Sequence, residues 1–200
     1  MKEMRVVLPS IERPKKLPVV LSRNEVRQLL KAPKLLKHRL VLAMLYGCGL
    51  RSFELCNLQL KDLDLERMML HIRQGKGRKD RYVPLCAMQV RGLRKYISAE
   101  SPITWCFNGN DSEGNPVALS TTGVRWIVRE ARKHSGIQKE VTTHSLRHSY
   151  ATHLLEMGLD IISVKDLLGH ADIQTTLAYL HVAQLGRQRP FSPLERLYNY

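Results

Sequence analysis

Two hundred residues, 44% hydrophobic and 25% charged, suit one globular domain with a sizeable core. Thirty-two Lys and Arg against 18 Asp and Glu leave a formal charge of +14, a surplus that points to a polyanionic partner such as nucleic acid. The longest apolar run, near LVLAMLYGCGL (40–50), is too short to span a bilayer and MKEMRVVLPS has no signal-peptide pattern, which argues against a membrane or exported protein and for a cytoplasmic one.

Cys48, Cys56, Cys86 and Cys106 are widely spaced with no CxxC pair, which favours reduced thiols over a disulfide framework or a zinc site. The basic surplus is uneven. Residues 1–39 carry eleven Lys and Arg against three acids, and residues 73–95 carry eight against Asp80 alone. Evenly spread lysines would serve solubility as well, so the clustering favours a binding role. At 6% aromatic residues, a base-stacking platform for single strands is disfavoured, and duplex DNA is the better partner.

Residues 1–20, with Pro9, Pro14 and Pro18 among basic residues, read as an extended linker. A helix is expected from LSRNEVRQLL, where Ser22 and Glu25 have capping-box spacing, and a second through LLKHRLVLAMLY to Gly47. In GCGLRSFELCNL, Gly49 permits a tight turn and Ser52 to Asn57 can form a short helix with Arg51 at its start. RMMLHIRQ and DRYVPL alternate about GKGRK, the pattern of a β-hairpin with a basic tip.

AMQVRGLRKYISAE is expected to be helical, with Val90, Leu93 and Ile97 as a stripe; residues 101–119 read as a loop. Ser120 opens a helix bearing Val124, Ile127, Val128 and Ala131 that stops at Gly136. TTHSLRHSYATHLLEMG is a further helix, capped by Thr142 or Thr143, with Leu146, Tyr150, Leu154 and Met157 on one side. Asp160 caps IISVKDLLG. The expected fold is mainly α with a small antiparallel β-sheet.

Several polar residues do not fit a core. His144 and Arg147, at i and i+3, can point to one place, although such pairs are also common on ordinary surfaces. Arg51 lies at a glycine-marked turn, Lys76 between two glycines at the hairpin tip, and His170 just after a helix-stopping glycine. An arginine fork suits phosphate oxygens, and a lysine offers a movable proton donor on a long stem. Together they describe a cradle for a phosphodiester under attack, where charge builds on the non-bridging oxygens. Tyr179, nine residues after His170, then becomes a candidate nucleophile. Lys79 competes with Lys76, which is preferred because flanking glycines let the tip close on DNA. A zinc site on His144 and His148 is disfavoured, since HSLRH lacks the glutamate of HExxH. His148, His153 and His181 read as structural or surface residues.

The set GCGLRSFEL, GKGRKDRYVPL, HSLRHSYATHLLEMG and LLGHADIQTTLAYLH resembles, in order, the catalytic signature of the tyrosine recombinases, the phage-integrase and Xer-like family. The resemblance runs from about residue 21 to 185 and implies that family's catalytic-domain fold, followed by a tail, 186–200, that could dock on a neighbouring subunit. It also implies catalytic roles for Arg51, Lys76, His144, Arg147, His170 and Tyr179, with Glu54 orienting Arg51. Arg78, Lys79 and Arg81 of the hairpin are expected on DNA. The implied activity is site-specific recombination or integration of double-stranded DNA through a 3′-phosphotyrosine, in a tetramer, with no metal or other cofactor. A non-catalytic DNA-binding remnant and a type IB topoisomerase-like strand cleavage are the alternatives. Family members usually carry an N-terminal core-binding helical domain, so a chain with only a basic linker before the catalytic part reads as truncated or unusually short.

Overall fold

The computed structural model describes residues 18–73, 80–180 and 182–183. Helix α1 (Arg23–Lys31) opens on the expected capping box: Glu25 N donates to Ser22 Oγ at 3.2 Å and Ser22 N to the Glu25 carboxylate at 2.6 Å. Helix α2 (Leu36–Gly47) buries Leu40, Val41, Leu42, Met44 and Leu45, and α3 (Ser52–Cys56) follows directly on the turn at Gly49. After a 3-10 turn at Leu60–Asp62 come β1 (Leu63–Asp64), β2 (Met69–Ile72) and β3 (Arg81–Pro84). They form one antiparallel sheet in the order β1-β2-β3, with Leu70 opposite Val83 and Ile72 opposite Arg81.

Helix α4 (Ala87–Glu100) buries Val90, Leu93 and Tyr96, and Ile97 packs on the same core from its edge. The segment 101–119, expected to be a loop, holds a second antiparallel pair, β4 (Asn108–Asn110) with β5 (Pro116–Ala118). Asp111 makes this turn: its carboxylate accepts from the backbone N–H of Glu113 and Asn115 at 2.9 and 2.8 Å. Strands of three residues, Asn-Gly-Asn and Pro-Val-Ala, are too short to show hydrophobic alternation, which is why the segment reads as loop.

Helix α5 (Thr121–Ser135) ends at Gly136 as expected, and α6 (Thr143–Glu156) is capped by Thr142, whose hydroxyl accepts from Ser145 N at 3.1 Å. Helix α7 (Ile161–Leu168) starts at Asp160, whose carboxylate accepts from Ile162 and Ser163 N–H, and ends at Gly169; the short α8 (Gln174–Leu177) precedes Tyr179. Helix α6 is buried on most of its circumference, with small polar Ser145, Ser149 and Thr152 inside beside Leu146 and Leu155. Such residues let neighbouring backbone approach: Leu21 N donates to Ser149 Oγ at 2.9 Å. Met157, expected on its buried side, is exposed because the helix ends at Glu156.

Two apolar clusters flank α6. The larger joins α1, α2, α4, α5 and the three-stranded sheet; the smaller contains Tyr150, Ala151, Leu155, Val164, Leu168 and Tyr179. The candidate nucleophile is thus part of a core. Lys76, Arg78 and Lys79 of the hairpin tip, His181 and the tail 186–200 lie outside the described residues, as does most of the linker.

Candidate active site

Arg51 is the N-cap of α3, in extended conformation, and Glu54 is three residues on. The Glu54 carboxylate accepts from Arg51 N at 2.9 Å and from Arg51 Nη1 at 2.8 Å, so one side chain caps the helix and aims the guanidinium. The orienting part expected of Glu54 therefore has a specific geometry. Glu54 is 7% exposed and also accepts both Nη1 and Nη2 of Arg81, at 2.9 and 2.8 Å. Burial pushes its carboxyl up, but the Arg81 fork, the Arg51 N–H and the charge of Arg147 outweigh it and hold the pKa below the ordinary value.

Arg147, on α6, is 4% exposed. Its Nη1 donates to Gly49 O and its Nη2 to Leu168 O, which ties the turn before α3 to the end of α7. Burial, helped by Arg51 and Arg81, lowers its pKa to about 10, so it remains a cation at neutral pH. The turn that supplies its acceptor needs a glycine: Gly49 has φ +59°, and a Cβ there would meet Tyr150 Cδ1 at 2.5 Å.

His170 follows Gly169, whose φ of +62° ends α7 in a left-handed turn with His170 N donating to Lys165 O at 3.1 Å. The His170 Nδ1 lies 2.9 Å from Thr176 Oγ1 of α8, and its ring stacks at 6.3 Å from that of Tyr179. The turn after the histidine and the short α8 thus bring the His170 and Tyr179 rings side by side. Tyr179 is 4% exposed; burial raises its phenol pKa, while Arg147 and Arg51 act in the opposite direction. At neutral pH its hydroxyl carries a proton. His144, at the start of α6, is exposed, and lines a cleft of about 610 Å³ together with Arg51, Thr142 and Thr143.

The structure therefore brings Arg51, His144, Arg147, His170 and Tyr179 to one region. Arg81 is placed differently from expectation. Its side chain is 8% exposed, with Nη1 and Nη2 on Glu54 and Nε on Leu167 O at 2.8 Å, so it braces the site from inside where an outward phosphate contact was expected. The strand period gives the reason: Arg81 and Val83 share the inward face of β3, and Tyr82 points out.

Three further residues lie in the same region. Arg125 and Arg129, exposed and one turn apart on α5, line the same cleft as Arg51 and His144. Their i, i+4 spacing on a helix that buries Val124, Ile127 and Val128 is a signal readable in the sequence. His148, read as structural, has its Nδ1 3.1 Å from the Tyr179 hydroxyl. Burial, with His144 and Arg147 adding to it, lowers its pKa to about 4.

The chain as a whole matches known proteins. Residues 19–185 match the model of the phage integrase family. A putative integrase/recombinase, y4qK, of Sinorhizobium fredii is 40% identical over 96% of this chain and 61% of its own length. The tyrosine recombinase XerA of Thermococcus kodakarensis is 41% identical over 84% of this chain and 60% of its own. The chain thus spans about three fifths of these two relatives. The crystal structure of a XerA recombinase superposes with a TM-score of 0.75 at 31% identity, covering 95% of this chain and 66% of that one. That of the XerH site-specific recombinase in a post-cleavage complex with its palindromic difH substrate gives 0.73 at 27%, covering 91% and 53%. With its signature residues gathered on the fold those structures share, the chain belongs to the phage integrase family.

Proposed function

We propose that this chain is the catalytic part of a site-specific DNA recombinase that cleaves and rejoins duplex DNA through a 3′-phosphotyrosine on Tyr179. The observation that carries the reading is the arrangement of the Tyr179 phenol, its ring 6.3 Å from that of His170, in one region with two arginines, Arg51 and Arg147, that lie 2.8 and 3.8 Å from the same Glu54 carboxylate. A phosphodiester seated there would have a nucleophile on one side and two cations on its non-bridging oxygens, where charge develops during in-line attack. His144 and His170 flank the same point and supply hydrogen bonds to the phosphoryl oxygens. The cleft with Arg125 and Arg129 extends the cationic surface along a duplex backbone. XerH, a structural neighbour bound to its difH substrate, supports DNA as the partner.

In the cleavage step Tyr179 Oη forms a bond to phosphorus and the bond to the 5′-oxygen breaks. Lys76 donates the proton that the leaving oxygen takes. The phosphotyrosine conserves the energy of the broken bond, so a 5′-hydroxyl from the partner strand can reseal the backbone without ATP. Strand exchange between two duplexes calls for four such sites, and the assembly on DNA is a homotetramer, working in the cytoplasm. Arg78 and Lys79 contact the DNA backbone beside Lys76.

The test uses a library of duplexes with a randomised core and one nick, so that the short 5′-hydroxyl fragment diffuses away and cleavage cannot reverse. The wild-type chain is expected to form a denaturant-resistant adduct, and Tyr179→Phe none. An adduct of normal yield from Tyr179→Phe would overturn the assignment. Strand exchange on paired copies of a selected site, as against supercoil relaxation alone, separates recombination from topoisomerase action.

A further inference from the structure

We propose that His148 is the general base of this site, accepting the Tyr179 hydroxyl proton at Nδ1 as the phenol attacks phosphorus. The inference rests on the recombinase reading and adds to it a residue outside the six-residue signature. The geometry is direct. His148 Nδ1 and Tyr179 Oη are 3.1 Å apart, within reach for proton transfer, and the two rings are tilted at 51° with centroids 5.5 Å apart. His148 stands on α6 one residue beyond Arg147 and one turn beyond His144, with its ring 6.3 Å from that of His144. The phosphate ligands and the proton acceptor are therefore carried on one helix, and their relative positions are fixed by it.

The chemistry requires such an acceptor. Tyr179 is buried and its phenol titrates above the ordinary value, so the attacking oxygen starts with its proton on. A solvent base has little access to a side chain 4% exposed. Burial keeps the His148 imidazole neutral at physiological pH, which leaves one ring nitrogen with a free lone pair. In the step, the Oη–P bond forms, the P–O5′ bond breaks, the Oη proton passes to Nδ1, and the 5′-oxygen is protonated by the general acid. On resealing, the incoming 5′-hydroxyl gives its proton back to the general acid as its oxygen bonds to phosphorus, the Oη–P bond breaks, and the proton on Nδ1 returns to Oη.

Two readouts on the full chain test this. Without DNA, nitrogen NMR of the 15N-histidine-labelled protein reports the tautomer, with His148→Gln supplying the assignment. The expected form has Nδ1 unprotonated; a proton on Nδ1 would make it the donor and overturn the proposal. With the randomised nicked library, His148→Ala and His148→Gln should both lose roughly 10²- to 10⁴-fold in the rate of adduct formation at unchanged DNA binding, with added imidazole restoring part of the His148→Ala rate. Glutamine can hydrogen-bond the phenol but cannot take its proton. An active His148→Gln, or a His148→Ala whose loss imidazole does not restore, would make His148 a positioning residue and overturn the base role. Should His148→Ala not fold, as thermal melting will show, the glutamine variant and the tautomer carry the decision. A wild-type chain that forms no adduct would sink the recombinase reading and this inference with it; a wild-type adduct matched within about threefold by both variants sinks the inference alone.

Discussion

Glu54 and Arg81 form a two-pronged ion pair, Nη1 to Oε1 at 2.9 Å and Nη2 to Oε2 at 2.8 Å, almost entirely out of solvent. The same carboxylate holds Arg51 at 2.8 Å and lies 3.8 Å from Arg147, so one buried anion balances three arginines that would otherwise repel. Glu54→Ala removes the counter-charge and leaves Arg81 and Arg147 buried without it, a change expected to cost about 3–5 kcal/mol in urea denaturation. Glu54→Gln keeps the cap geometry and should cost less. Because the folded-state pKa of Glu54 lies below its unfolded value, its contribution is complete above the ordinary carboxylate pKa of about 4.5 and fades as pH falls through the lower folded value. A wild-type acid unfolding curve steeper than that of Glu54→Gln checks the sign.

Gly49→Ala should be among the most damaging single-methyl changes in the chain. The left-handed conformation alone costs an L-residue roughly 1–2 kcal/mol. The new Cβ would also sit 2.5 Å from Tyr150 Cδ1 and 2.8 Å from Cε1, a packed ring in the smaller core. The displaced turn carries the Arg147 acceptor and leads into Arg51, so activity should fall more than stability. Gly49→Ala/Tyr150→Leu relieves the clash but not the backbone strain, and is expected to recover only part of the stability in the same denaturation experiment.

These contacts show what could be read from the chain and what could not. That Arg51, His144, Arg147, His170 and Tyr179 would lie in one region was legible because Gly49, Gly169 and the i, i+3 step of α6 each leave a local mark. The helices were legible from N-cap residues and apolar period, as at Ser22 and Asp160. His148 was not. Its meaning depends on a contact between α6 and a residue 31 positions later, and nothing in HSLRHS distinguishes a histidine aimed at a phenol from one packed for structure. Arg81 departs from expectation for a different reason: a basic hairpin tip suggests an outward charge, while the alternation that turns Arg81 inward beside Val83 is present in the sequence.

His148 also gives the fold a pH signature. It faces His144 and Arg147 from its own helix and Tyr179 from the segment after α8, and its folded pKa is about 4 against an ordinary value of 6.5. Between those values the unfolded chain binds the proton and the folded one does not, so stability falls as pH drops from about 6.5 toward 4. His148→Gln has no such proton to bind. Its melting temperature should therefore decline less than that of the wild type across this window; parallel curves would show that His148 is not buried in its neutral form.

Lys76 is expected to protonate the leaving 5′-oxygen, on the strength of its place between two glycines in the basic hairpin. General acid catalysis contributes roughly 10²- to 10⁴-fold, so Lys76→Ala should slow cleavage by about that factor with DNA binding nearly intact. Replacing the bridging 5′-oxygen by sulfur provides a leaving group that departs with little help from a proton. That substrate should restore cleavage by Lys76→Ala. It should not restore Arg147→Ala, because the arginine acts on non-bridging oxygens whose developing charge is the same whichever atom leaves. Nor should it restore His148→Ala, since the base removes a proton from the nucleophile and the sulfur changes only the departing side. Loss and rescue in Lys79→Ala in place of Lys76→Ala would shift the assignment along the hairpin tip. Rescue of all three variants alike would mean that departure of the 5′-oxygen limits the rate in each, and the division of labour between acid, base and phosphate ligands would have to be redrawn.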